Sequence, residues 1–510
     1  MHDTHFFRSI GGKILLSVVM ACAADWIFYA QYNGWFGFTG LGVGIYALVL
    51  LTVVLLLNRK SLKSVPARAV VAANAVLGLS LINSPSILSI TLYALLLATI
   101  LIFAKRERVT DAVLWVKDVA ISVTGILSQW YRDHIKIGKL RQKKALKINL
   151  SLRYAALPAL LTISFCFLFA KANPVISDIL DEIDFQFFGQ LLSPARWAGW
   201  LLITITIWGI LRPKFSLAVN SIAPPKEINL DYWLNRNSII VSLVVFNALF
   251  AVQNILDISF LWSGEPIPNG MTYAEYAHTG AYPLILTTVL AAIYVLITFG
   301  ENSKKYQSPA AKAWIFAWIA QNIFLVSSSI NRNIHYIEAY SLTYLRCAAL
   351  IWMGLVAVGL MLIIIRIQLD RKNIWLINMN ISTLAFTLYI CSFINFGGII
   401  ADYNVRHAKE VTGESTSTFL DLQYMADIGP EALPALLWFE KNAAYSPEKV
   451  KRARLLIGEL SSSLGGMNMN WRLWTWRHQL IQENIEGNPA DLKTMYIPDI
   501  INHKEGWQTE

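Results

Sequence analysis

Cysteine is scarce. The four in 510 residues, Cys22, Cys166, Cys347 and Cys391, each fall inside a long apolar stretch, which leaves no disulfide framework and reads them as small apolar side chains. Charge is scarce as well. Asp, Glu, Lys and Arg make up 15% of the chain against 55% hydrophobic residues, and the mean hydropathy is positive, which excludes an ordinary string of soluble domains. A phosphate-cradling glycine loop, G-x-S-x-G, H-E-x-x-H and C-x-x-C are all missing, which disfavours ATP-driven work by this chain alone, serine hydrolysis and thiol redox chemistry. No cleavable leader is evident, because the first apolar run lacks a small-residue cleavage site before "YNGWFGFTG". It reads as a retained first span.

What the chain does have is long apolar runs. A helix crossing the ~30 Å hydrocarbon core needs roughly 20 mainly apolar residues, since lipid offers no partner to a backbone N–H or C=O. Eleven stretches qualify: 13–32, 38–57, 67–83, 87–104, 152–171, 195–211, 238–262, 281–300, 312–330, 343–366 and 374–399. The third carries Asn74 and ends early, so it is expected to be tilted, short or packed inside the bundle. The expected fold is all-α, a polytopic transmembrane helix bundle with a small C-terminal helical domain outside the membrane.

The net charge of +10 sorts by connection rather than forming a nucleic-acid surface. Lys and Arg crowd 58–68, 105–153, 212–236, 301–312 and 366–372, whereas 33–38, 84–86, 172–194, 263–280 and 331–342 are poor in them. The positive-inside rule then puts the N-terminus in the cytoplasm and, after eleven crossings, the C-terminal segment outside.

Five segments follow: a four-span part at 1–104, a basic cytoplasmic loop at 105–151, a seven-span core at 152–400, a periplasmic helical domain at 401–486 and a loosely ordered tail at 487–510. In the basic loop, cations at 132–147 alternate with Ile and Leu, as a solvated loop or as an interfacial helix on the anionic lipids of the inner leaflet. The C-terminal domain shows helix starts at Pro430 and at Ser446 with Pro447 and Glu448. Trp471, Trp474 and Trp476 suit either its core or the membrane headgroup region, and the domain is a candidate contact surface for an envelope protein.

Three stretches, "MTYAEYAHTGAYPL", "YIEAYSLTYLR" at 336–346 and "DLQYMADIGPEALPAL" at 421–436, resemble the signature stretches of a bacterial membrane-protein family known only as domain of unknown function number four-one-seven-three. The resemblance runs from about 150 to 480. It implies a bacterial inner-membrane protein and lends no activity or catalytic residue. Where that family has a glycine after the tyrosine of the second stretch, this chain has Ser341.

Candidate chemistry gathers on the expected outer face. Glu275 and His278, with His335 and Glu338, are i, i+3 pairs of a type that binds divalent metals in helical bundles. The plainer alternative makes them loop anchors beside Tyr273, Tyr276 and Tyr282 at the interface, with no cofactor. Polar residues inside spans say more, because a charge at the bilayer centre costs at least ~2.5–3.5 kcal/mol. Asn247, Asn254 and Asp257 share one face of the seventh span, and Gln321, Asn322 and Arg332 follow one face of the ninth. With Tyr273 of the loop and with Tyr344 and Arg346 opening the tenth, they form a candidate polar pocket; interhelical locking is the alternative. Asp25 is a further acid with no visible partner.

The expected activity is transport or handling of an envelope component or small solute through that pocket. A membrane-embedded enzyme acting on a lipid or lipid-linked substrate, and a non-catalytic scaffold or sensor, are the alternatives.

Overall fold

The computed structural model describes residues 9–29, 37, 39–58, 63–106, 109, 111–142, 193–213, 236–262, 308–413 and 418–486, with single positions at 158, 161, 165, 287, 290, 293, 294 and 298. The described elements are all helical. Eight helices are long and apolar enough to cross a membrane, and two shorter apolar ones, Leu41–Leu57 and Ile87–Phe103, accompany them. Apart from those single positions, the expected spans at 152–171 and 281–300 lie outside the described residues, as do the 269–284 stretch and the tail from 487. The chain divides into two compact units, the first drawn from Met1–Thr110, Leu114–Asn220 and Trp471–Leu473, the second from Asp111–Val113, Ser221–Asn470 and Trp474–Glu510.

In the first unit, α1 (Ile10–Phe28), α2 (Leu41–Leu57), α3 (Val65–Asn83) and α4 (Ile87–Phe103) run up and down in turn. Serine caps start three of them: Ser9, Ser64 and Ser86 accept from the amides of Gly12, Ala67 and Ser89. Gly44 lets α2 and α3 meet closely, since a Cβ there would stand 2.8 Å from the backbone nitrogen of Ile82. Asn74 is fully buried and donates to the Tyr93 carbonyl at 2.9 Å, so the polar residue of this stretch packs inside.

Helix α5 (Ala112–Gln142) lies where the sequence predicts a basic loop or interfacial helix, and its first 22 residues meet the composition of a span. Its contacts fall at helix ends. Trp115 Nε1 donates to Thr99 near the end of α4, and Asp118 pairs with Arg106 just beyond it. Farther along, Ile126 touches Gly209 near the end of α6 (Pro194–Leu211), and Asp133 pairs with Arg212. Asp25 near the end of α1 pairs with Arg196 at the start of α6, so these two helices are antiparallel. The start of α1 and the ends of α4 and α6 therefore share one end of the unit, and α5 crosses that end.

In the second unit, α7 (Arg236–Asp257) runs into a five-residue π-helical turn, Ile258–Trp262, and packs along α8 (Pro309–Tyr340). At 32 residues, about 48 Å, α8 outlasts its apolar part. The expected ninth span stops at 330, but "NRNIHYIEAY" contains no helix breaker and continues the helix to Ser341. Next come α9 (Tyr344–Gln368) and α10 (Asn373–Cys391). The last expected span, 374–399, is broken at 392–395, where Asn395 caps α11 (Phe396–Arg406) by accepting from Gly398 N at 3.1 Å.

From α11 onward a conventional apolar core forms, with α12 (Lys409–Thr412), α13 (Leu422–Ile428), a 3-10 turn at Gly429–Ala432, α14 (Leu433–Asn442), α15 (Pro447–Met469) and α16 (Trp476–Glu486). Ile400, Met425, Leu436, Phe439 and Ile457 are buried together there, each worth about 1.5–3 kcal/mol of transfer free energy. Glu410 pins the enclosed loop: both carboxylate oxygens accept from Leu420 N, at 3.1 and 3.2 Å, and Lys449 stands 3.7 Å away. None of Trp471, Trp474 and Trp476 joins this core.

Candidate functional site

The residues that the sequence places on single faces of the seventh and ninth spans meet along the α7–α8 seam. Asn247 Nδ2 donates to two backbone carbonyls, Leu243 at 2.7 Å and Trp314 at 3.0 Å. That fixes its Oδ1 as the acceptor for Gln321 Nε2 at 2.8 Å, which leaves Gln321 Oε1. The same logic assigns Asn322, whose Nδ2 donates to the Trp318 carbonyl at 2.8 Å, and Asn254, whose Nδ2 faces the Gln321 carbonyl at 3.5 Å.

At the end of the seam Arg332 pairs with Asp257 Oδ1, which also accepts from Gln253 Nε2 at 3.0 Å. Both ion-pair side chains are buried, 8% and 3% exposed. Asp257 is the last α-helical residue before the π turn, an irregularity that often marks functional positions. Four acceptors along this seam, Asn254 Oδ1, Asp257 Oδ2, Gln321 Oε1 and Asn322 Oδ1, are buried with no hydrogen-bond partner among the described residues. Buried acceptors without donors cost about 1–3 kcal/mol each unless water, a proton or a cation meets them.

Arg346 does not join the pair. Its guanidinium bonds the carbonyls of Tyr340, at 2.7 Å, and Ser341, and lies 3.9 Å over the Tyr336 ring, so it caps the C-terminal end of α8. Ser341 adopts φ 69° and ψ 170°, a region that glycine favours. Its hydroxyl meets Thr418 Oγ1 at 3.0 Å. The adjoining Leu342 exchanges both backbone bonds with the Asn404 amide, at 2.7 and 2.9 Å. Tyr344 N donates to Tyr424 Oη at 3.0 Å, so the stretches 336–346 and 421–436 are neighbours. Tyr273, Glu275 and His278 lie outside the described residues. His335 Nδ1 and Glu338 Oε2 do meet, at 3.1 Å, on the exposed last turns of α8. Among the described residues no three His, Cys, Asp or Glu side chains converge as a metal site.

Two groupings have no counterpart in the sequence reading. Asp25 has a partner after all: Arg196 grips both its oxygens and Trp200 Nε1 donates at 2.7 Å. The other grouping is Glu431, 3.8 Å from His478, with Arg477 acting on its charge. Burial alone would raise the Glu431 carboxyl, but the nearby His478 imidazole, a backbone bond and the charge of Arg477 outweigh it and hold the pKa below the ordinary value. Burial lowers the Arg477 guanidinium, opposed by Glu431. Glycine-proline ahead of Glu431 was the one local signal, and it pointed to a helix start.

Long helices with apolar outer faces and a hydrogen-bonded polar interior define an α-helical membrane protein. The chain belongs to the family described as domain of unknown function (DUF4153), which matches residues 14–437; its number is not the four-one-seven-three expected from the three signature stretches. No curated protein and no solved structure matches it. The match starts well before residue 150 and encloses the whole α7–α8 seam, whereas Arg477 and His478 fall beyond its end.

Proposed function

We propose that the chain is a bacterial inner-membrane protein that binds and passes a small polar solute, a cation or a hydrogen-bond donor, along the α7–α8 seam. The carrying observation is the row of buried, unpartnered acceptors that ends at the Asp257–Arg332 pair. Four acceptors against one buried donor, Trp318 Nε1, make the seam richer in acceptors than in donors, which suits a donor or a cation better than an anion. The alternation of cation-rich and cation-poor connections supports a cytoplasmic N-terminus and periplasmic helices α11–α16.

The test compares cells carrying the chain, lacking it, or carrying Asp257→Asn, with small solutes of periplasm and cytoplasm measured by mass spectrometry. Asp257→Asn at normal protein level should reproduce the solute shift of the deletion. Wild-type behaviour of both Asp257→Asn and Arg332→Gln would sink the reading in favour of a scaffold. A reporter fused after residue 410 should be active only in the periplasm. A second reading, an enzyme acting on a lipid-linked substrate, draws on the convergence of Glu431, Arg477 and His478 near Tyr344. It predicts that Glu431→Gln abolishes function while Asp257→Asn spares it.

A further inference from the structure

The first unit contains a cleft of about 180 Å³ that the solute reading does not use. It is lined by Ile14, Ser17 and Val18 of α1, Trp130 and Asp133 of α5, and Thr204 and Trp208 of α6. Ile14 and Val18 are themselves exposed on the outer face of α1. The walls are thus aliphatic and indole, with three polar groups among them.

Those three groups are unevenly satisfied. Ser17 is 3% exposed and its Oγ has no partner among the described residues. Asp133 takes all its donors on one oxygen: Arg212 Nη1 at 2.9 Å, Trp208 Nε1 at 3.3 Å and Gln129 Nε2 all address Oδ2. The other oxygen, Oδ1, makes no bond among the described residues. Burying polar atoms beside apolar walls without partners is costly, and a ligand head that supplies the missing bonds recovers that cost.

The charge balance narrows the ligand. Arg212 already neutralises Asp133, so a second cation would face the guanidinium and an anion would face the carboxylate. An uncharged hydroxyl fits both needs, donating to Asp133 Oδ1 while accepting from Ser17 or Thr204. Depth agrees with a lipid source. Ser17 lies seven residues into α1, and Thr204 and Trp208 lie seven and three residues before the end of α6, so the cleft sits roughly 5–10 Å inside the helix ends that α5 crosses. Tryptophans favour that depth in a bilayer. We propose that this cleft binds the head of an amphiphile with an uncharged hydroxyl, of the acylglycerol or long-chain alcohol class, with its tail running out past Ile14 and Val18.

The full-length protein in detergent micelles, exposed to a monoacylglycerol carrying a photoreactive diazirine near its head, tests this by peptide mapping. Labelling should concentrate on peptides holding 14–18, 130–133 and 204–208. Unlabelled monoacylglycerol should compete, and alkyltrimethylammonium and fatty acid should not. The near-isosteric Ser17→Ala and Thr204→Val should each cut labelling about tenfold, and Ser17→Leu, which fills the cleft, should abolish it. Labelling spread evenly over the outward-facing helices, unchanged labelling in Ser17→Ala and Thr204→Val, or competition by either charged amphiphile would overturn the proposal.

Discussion

Helices α10 and α14 are both rich in apolar side chains and orient them oppositely. In α10 only Leu376 is buried, while Leu384, Phe386 and Ile390 point outward. In α14 Leu433, Leu436, Leu437 and Phe439 turn inward. Phe386 is 66% exposed and Phe439 is fully buried. Polar groups follow the reverse rule: near α14 the ion pairs Arg406–Asp402 and Arg454–Glu440 lie on the surface, whereas Asp257 and Arg332 pair inside the bundle. The outer solvent differs between the two regions, lipid around the first and water around the second. Composition separates them in part, since α10 carries no charged residue and α14 carries Glu440 and Lys441, and the direction of burial separates them fully.

The strongest test of that contrast removes one ring from each region. Phe439→Ala should cost about 3–5 kcal/mol of stability in thermal or denaturant unfolding of the purified protein. Phe386→Ala in detergent should fall within about 0.5 kcal/mol of wild type. Equal losses would break the comparison.

Ion pairs sharpen it next. Arg332→Met alone strands the buried Asp257 charge and should cost about 3–5 kcal/mol, with the double variant Asp257→Leu/Arg332→Met recovering most of it. Arg454→Met, at the water-facing pair, should cost less than about 1 kcal/mol.

Ser341 sits where the two regions join and gives a smaller effect of opposite sign. Ser341→Gly relieves backbone strain of about 1–3 kcal/mol at the loss of one part-buried hydroxyl bond of about 1 kcal/mol, so it should raise the melting temperature. Ser341→Ala keeps the strain, loses the bond to Thr418 and should lower it.

The smallest effect is set by pH. The Glu431 carboxyl titrates below its ordinary value of 4.5 in the folded chain, so its stabilisation is present above that value and is lost as pH falls through the lower, folded one. Acid unfolding of the water-facing helices, followed by circular dichroism, should become less steep in Glu431→Gln.

Much of the bundle was legible because its determinants are local. Apolar runs bounded by charges gave helices at 65–83, 194–211, 236–257 and 344–368 within a few residues of expectation, and the i, i+7, i+10 spacing of Asn247, Asn254 and Asp257 put them on one buried face. What sequence could not supply was partnership across distance. Arg196 is 171 positions from Asp25, and no periodicity links Glu431 to His478. Arg346 was read as a member of the Asp257 network because both belong near one membrane boundary. In the fold its Nη1 donates to the carbonyls of Tyr340 and Ser341 at the end of α8 instead. The strained backbone at Ser341 was equally hidden from the sequence, since only the positive φ makes it visible.

Helix α8 contributes Ile315, Trp318 and Val326 to the core it shares with α7 and α9, and Ile337 to the core of the C-terminal helices. One uninterrupted rod therefore anchors in both compartments of the second unit. A ligand that tilts or rotates it by displacing Arg332 would move Tyr336 and the Arg346 clasp with it, so occupancy within the bilayer would be read out mechanically on the far, aqueous side.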